Sequence, residues 1–219
     1  MTRVKICGIT TLDDACFAVE AGADMLGFNF YPKSKRYITP VEAAKIVASV
    51  RDAYTEKCPV LVGVFVNEAV SGMLELKSVV GLDGLQLSGD ETTATLWALE
   101  GVGFKAIRPA GLIQALEDVK QFALPVATPE HLPSILLDAY HPDEYGGTGL
   151  QAADEIAQMV RSQVPRLMLA GGLTPENVAA RVAAVQPWGV DVASGVESEQ
   201  PGIKDHARIQ AFIQAAKSV

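Results

Sequence analysis

Histidine, cysteine and positive charge are all scarce in this sequence, and each scarcity closes off a class of function. The three histidines, His131, His141 and His206, share no spacing, and the three cysteines, Cys7, Cys16 and Cys58, form no metal-ligand pair, so no metal site is expected. An odd cysteine count without a secretory leader fits a reducing, cytoplasmic setting with no disulfide. Basic residues are outnumbered 18 to 26, giving a net charge of −8. That balance argues against a nucleic-acid surface, which needs clustered positive charge, and any anionic ligand must be held by local donors. No apolar run approaches the roughly 20 residues that span a bilayer, and the first residues lack a charged-then-apolar leader, so neither a membrane partner nor cleavage is expected.

What the chain does have is apolar residues in quantity, 49% of 219, enough to bury a substantial core in a single domain over residues 1–219. They come in short runs separated by helical patterns. Arg3–Cys7, Met25–Phe30, Pro59–Val66, Gly84–Leu87, Phe104–Ile107, Ile135–Asp138, Arg166–Leu169 and Gly189–Val192 read as strands, near-continuously apolar as strands buried on both faces are. Between and after them lie amphipathic or capped stretches. Thr11 and Thr39-Pro40 open two of these helices, and others span Glu68–Val80, Thr92–Leu99, Leu112–Phe122, Ala152–Arg161, Pro175–Ala184 and Asp205–Lys217. Eight alternating units predict an α/β fold, a closed (β/α)8 TIM barrel, with a doubly wound open sheet as the alternative. Trp97 and Trp188 read as packing residues.

In a parallel barrel the chemistry sits at the carboxyl ends of the strands. The first strand delivers Cys7 there, and alternation puts Lys5 on the same face, with Val4 and Ile6 on the other. A lone cysteine in an apolar run also packs as a small hydrophobe, so its neighbours must decide. Asp138 ends another apolar strand and projects from the same rim, where a loop-capping role competes with a catalytic one. A thiol near 8.5 and a carboxyl near 3.9 suit acid–base work only if tuned, and Lys5 is expected to lower the thiol. Two glycine-rich turns follow strands seven and eight, the usual phosphate corner. One is Gly171-Gly172-Leu173-Thr174-Pro175, with Thr174 placed to cap a helix; the other is Asp191-Val192-Ala193-Ser194-Gly195, able to open a short helix toward the same anion. Singly each is an ordinary tight connection; together they point to phosphate. Arg36, in a loop with Lys33 and Lys35, has the fork to grip a carboxylate or merely to face solvent.

These residues carry a resemblance. Val4-Lys5-Ile6-Cys7-Gly8-Ile9-Thr10, Phe30-Tyr31-Pro32-Lys33-Ser34-Lys35-Arg36-Tyr37, Val62-Gly63-Val64-Phe65-Val66-Asn67, Leu136-Leu137-Asp138 with Gly146-Gly147-Thr148-Gly149, Gly171-Gly172-Leu173-Thr174-Pro175-Glu176-Asn177 and Ser194-Gly195-Val196-Glu197 with Lys204-Asp205-His206 resemble, over essentially the whole chain, the phosphoribosylanthranilate isomerase family of tryptophan biosynthesis. The resemblance implies a cofactor-free Amadori rearrangement of a small phosphorylated substrate in a cytoplasmic monomer or homodimer. It implies that Asp138 protonates the ribose ring oxygen, that Cys7 takes the proton from carbon 2, and that Arg36 meets the anthranilate carboxylate. Lys5, Gly171, Gly172, Asp191, Ser194 and Gly195 complete the expected substrate-binding set. Two departures stand out: Leu87-Ser88-Gly89 where the family has Leu-His-Gly, and Leu150-Gln151-Ala152-Ala153-Asp154 where it has a lysine followed by Phe-Asp-Trp. Another sugar-phosphate barrel and a catalytically silent phosphometabolite-binding protein are the competing expectations.

Overall fold

The computed structural model describes residues 1–123, 128–138 and 147–219, with residues 147–152 described as backbone alone. Pro125, His141 and the Tyr145–Gly146 part of the glycine-rich loop therefore lie outside the described residues. Eight parallel strands close on themselves in sequence order: β1 Arg3–Cys7, β2 Met25–Asn29, β3 Val60–Phe65, β4 Gly84–Leu87, β5 Gly103–Ile107, β6 Ile135–Asp138, β7 Leu167–Ala170 and β8 Gly189–Val192. Pairing of β1 with β8, Lys5 beside Asp191 and Ile6 beside Val192, seals the barrel and excludes the open sheet.

A helix follows each strand: α1 Leu12–Glu20, α2 Pro40–Tyr54, α3 Val70–Val80, α4 Thr93–Ala98, α5 Leu112–Asp118, α6 Gly147–Gln163, α7 Val178–Val185 and α8 His206–Lys217. The local chemistry explains most starts. Thr11 accepts from the Asp14 amide, and Thr39 forms a capping box with Glu42 ahead of Pro40, each satisfying an amide that the first turn leaves unpaired. Helix α6 begins at Gly147, five residues before its expected start near Ala152; a first turn makes few bonds of its own and tolerates glycine there. Thr174 does not cap α7. Asn177 closes that turn, accepting from the Thr174 amide at 2.8 Å and donating to the Gly172 carbonyl at 2.9 Å, so the helix starts three residues later than expected.

Strand alternation divides the apolar residues into two layers. Val4, Ile6, Leu26, Phe28, Leu61 and Leu85 face outward and pack with Ala15, Val47 and Phe212 of the surrounding helices. Met25, Val62, Phe104, Leu136 and Met168 fill the barrel interior, with Trp188 packed against them. Each fully buried side chain of that size contributes about 1.5–3 kcal/mol. Trp97, by contrast, is 60% exposed, because the short α4 turns it away from the barrel. The interior layer stops below the carboxyl rim, where polar side chains replace it.

Candidate active site

Lys5 begins that replacement. Alternation along β1 points it inward, where the side chain is wholly buried, and Nζ donates to Asp191 Oδ1 at 2.8 Å and to Gln86 Oε1 at 2.9 Å. An ammonium removed from water needs this pairing. Gln86 in turn donates to Ser88 Oγ at 3.1 Å, so a polar line crosses the barrel from β8 to β4. Burial works against the charge on Lys5, but Asp191 and the adjoining Cys7 outweigh it and hold the ammonium above the usual lysine value. Lys5 thus lies beneath the cavity floor and does not line it, unlike the other expected substrate-binding residues.

Cys7 ends the same strand, two residues on and on the same face. A Cβ added at Gly27 of β2 would stand 2.9 Å from Cys7 Sγ and 3.1 Å from Lys5 Nζ, so the absence of a side chain there is what lets thiol and ammonium sit together. Burial pushes the thiol up; Lys5 and Lys204 pull it down, and Asp191 adds to the rise. The net direction is upward. This corrects the expectation of a lowered thiol: Lys5 does act as supposed, but its charge is engaged by Asp191 and desolvation prevails.

Above Cys7 the cavity measures about 540 Å³, with Cys7, Arg36, Asp138, Gly171, Gly172, Asp191, Ser194 and Gly195 all on its wall. Gly171 and Gly172 both adopt positive φ, 96° and 61°, a conformation open to glycine at little cost. Residues Ser194–Val196 form the expected short turn, and a Cβ on Gly195 would run into the Leu173 carbonyl. The two glycine-rich turns are therefore in contact and form one corner of the cavity rather than two separate connections.

Asp138 receives a hydrogen bond from Arg108 Nε at 2.9 Å, a partner the sequence reading did not name. Alternation along β5 supplies the signal: Phe104 and Ala106 face inward, and continuing the period to Arg108 puts it on the rim.

Arg36 differs from expectation in its partner. Its Nε and Nη2 donate to Glu197 at 2.6 and 2.8 Å, and this bidentate grip holds the guanidinium above its usual pKa. Glu197 also accepts from the Gly202 amide at 3.1 Å and from buried Lys204 at 3.3 Å. Burial alone would raise its carboxyl, but Arg36 and Lys204 more than offset that and keep it ionised. The planar fork is thereby fixed at the cavity wall. Lys204, whose Nζ also donates to the Ala193 carbonyl at 3.0 Å, ties the strap after β8 to this corner, and burial lowers its pKa.

Of the remaining histidines, His206 stacks on Phe17 at 4.2 Å and faces Asp14 at 3.0 Å, away from the cavity lining. Among the described residues no group of three histidine, cysteine or acidic side chains converges as a metal site would require, and no helix is long and apolar enough to cross a membrane.

The chain is similar to known proteins along essentially its whole length. A family model described as N-(5'phosphoribosyl)anthranilate (PRA) isomerase matches residues 4–215. A protein of Roseiflexus sp. (strain RS-1) named N-(5'-phosphoribosyl)anthranilate isomerase is 44% identical over 221 residues, covering 100% of this chain and 99% of its own. The crystal structure of phosphoribosyl anthranilate isomerase from Thermotoga maritima matches with a TM-score of 0.84 at 40% identity, over 100% of both chains. A crystal structure of phosphoribosyl anthranilate isomerase in complex with reduced 1-(o-carboxyphenylamino)-1-deoxyribulose 5-phosphate matches with a TM-score of 0.82 at 38% identity, again over 100% of both.

Proposed function

The chain belongs to the N-(5'-phosphoribosyl)anthranilate isomerase family, and from that premise we propose how its own residues carry the reaction. The protein is an isomerase that converts N-(5'-phosphoribosyl)anthranilate to 1-(o-carboxyphenylamino)-1-deoxyribulose 5-phosphate. We assign the phosphate to the corner formed by Gly171, Gly172, Ser194 and Gly195, whose backbone amides suit an anion. The ribose then lies between Cys7 and Asp138, and the anthranilate carboxylate meets Arg36. Support for this placement comes from one observation above all: thiol, carboxyl, guanidinium and both turns line a single cavity.

In the proposed sequence Asp138 gives its proton to the furanose ring oxygen, the C1–O bond breaks, and the nitrogen lone pair forms an iminium at C1. That cation acidifies the C2 hydrogen, and the Cys7 thiolate removes it. The resulting enolamine tautomerises, C1 gaining a proton and the C2 hydroxyl losing one. C2 is oxidised to a ketone and C1 is reduced to a methylene, an internal oxidoreduction that needs no external electron acceptor. Arg108 orients the Asp138 carboxyl, and Lys5 and Lys204 favour the thiolate from below and from the side.

The test is turnover of chemically prepared phosphoribosylanthranilate by the purified protein, followed by loss of substrate fluorescence, together with growth without tryptophan of a strain lacking this isomerase. Product formation and growth are expected; failure of both, with a folded protein, rejects the reading.

A further inference from the structure

Beside the catalytic cavity lies a second one of about 510 Å³, and the two share the residues Val66, Ser88, Ala106 and Arg108. Two of these, Ser88 at the β4 end and Ala106 on β5, are small, while Arg108 is held to one side by Asp138. The loop that shapes the second cavity is firmly built. The Glu91 side chain, 2% exposed, accepts from the Asn67 amide at 2.7 Å, the Gly89 amide at 2.9 Å and Lys105 Nζ at 2.9 Å. A buried ion pair with every oxygen engaged holds such a loop open as a formed space. The far wall is mostly polar and comes from α5 and the turn after it, with Gln114, Asp118 and Gln121 beside Phe122.

Barrel geometry says what would reach this space. With eight strands in sequence order, β7 and β8 stand opposite β3 and β4. A substrate tethered by its phosphate after β7 and β8, reacting between β1 and β6, and turning its carboxylate to Arg36 after β2, presents the free edge of its aromatic ring to Val66 and Ser88. Behind that edge is the second cavity.

We propose that this cavity is a subsite for a ring substituent, so that the enzyme also isomerises phosphoribosyl derivatives of anthranilates carrying a hydroxyl or carboxamide on the edge remote from the carboxylate. The proposal rests on the isomerase reading above and extends it to a substrate class. The wall carries both Arg108 and Asp118, so no one charge is selected, and its amides and carboxylates reward a neutral hydrogen-bonding group where an apolar one would strip them of water.

The experiment measures kcat/KM for the parent substrate and for analogues made by condensing ribose 5-phosphate with anthranilates hydroxylated or carboxamidated para to the amine nitrogen. In the unaltered enzyme the analogue-to-parent ratio stays within about tenfold, and Ser88→Phe, which fills the junction, lowers that ratio by at least about tenfold. The double variant Gln114→Leu with Gln121→Leu, remote from the reacting atoms, lowers the ratio while leaving the parent rate unchanged, and it decides the matter should Ser88→Phe fail to fold. Parent turned over but analogues rejected about a hundredfold or more, or ratios that none of these variants moves, overturns the subsite alone. No turnover of the parent overturns the isomerase reading and this proposal with it.

Discussion

Arg36 and Glu197, 161 residues apart in the chain, meet edge to edge, Nε to Oε1 at 2.6 Å and Nη2 to Oε2 at 2.8 Å. The guanidinium that the sequence offers to a substrate carboxylate already holds a carboxylate of its own. That grip fixes the plane of the fork before any ligand arrives, so little of its motion remains to be lost on binding.

Glu197→Gln tests this directly. The amide keeps one acceptor oxygen in place of two and carries no charge for Arg36 or for Lys204 behind it. KM is expected to rise about tenfold with a smaller change in kcat, as loss of uniform binding would give. Unfolding free energy is expected to fall by about 2–3 kcal/mol, the scale of a charged hydrogen bond. Steady-state kinetics and urea denaturation measure both; an unchanged KM would remove Arg36 positioning from the account.

Lys5→Met leaves Asp191 buried without its cation. Losing one partner of a buried pair costs about 3–5 kcal/mol, and Cys7 loses a cation that now pulls its thiol downward. Adding Asp191→Asn is expected to recover part of the stability. Denaturation of the single and double variants checks this, and losses that simply add would show that the two residues are not coupled.

Gly195→Ala forces a Cβ toward the Leu173 carbonyl and pries apart the two glycine-rich turns to which the phosphate is assigned. Overpacking of this kind costs about 1–3 kcal/mol. Competitive inhibition by inorganic phosphate should weaken by at least about tenfold. Inhibition equal to that of the unaltered protein would move the phosphate elsewhere.

The pH dependence of Cys7 follows from its surroundings. Burial favours the neutral thiol and outweighs both lysines, so the folded pKa lies above the unperturbed one. Thiolate therefore accumulates only as pH rises past the usual cysteine value. Iodoacetamide labelling of Cys7, read by mass spectrometry from pH 7 to 10, should show a midpoint above about 8.5. A midpoint below that value contradicts the balance described.

Much of this molecule can be read from periodicity, and what cannot is long-range. Strand spacing implied the closed barrel, alternation put Lys5 and Cys7 on one face, and glycine placement marked both turns. The partner of each charged side chain was not readable, because pairing depends on register around the barrel: Lys5 meets Asp191 from the strand that closes the ring, and Gln86 from across it. Continuing the alternation of β5 one step past its end reaches Arg108 on the rim, but nothing local to that strand says that Asp138 of β6 is its partner. The Thr174 expectation failed for a local reason: threonine and asparagine both close turns, and Asn177 has the reach to bond both Thr174 and Gly172.

In the proposed reaction a thiol from β1 and a carboxyl from β6 act on one sugar. The most direct measurement is the turnover of Cys7→Ala and Asp138→Asn, each made separately, with phosphate inhibition measured alongside. Acid–base roles predict that each variant loses about 10²–10⁴-fold in kcat while phosphate still competes as in the unaltered enzyme. A kcat within tenfold of the unaltered value in either variant would contradict the assignment.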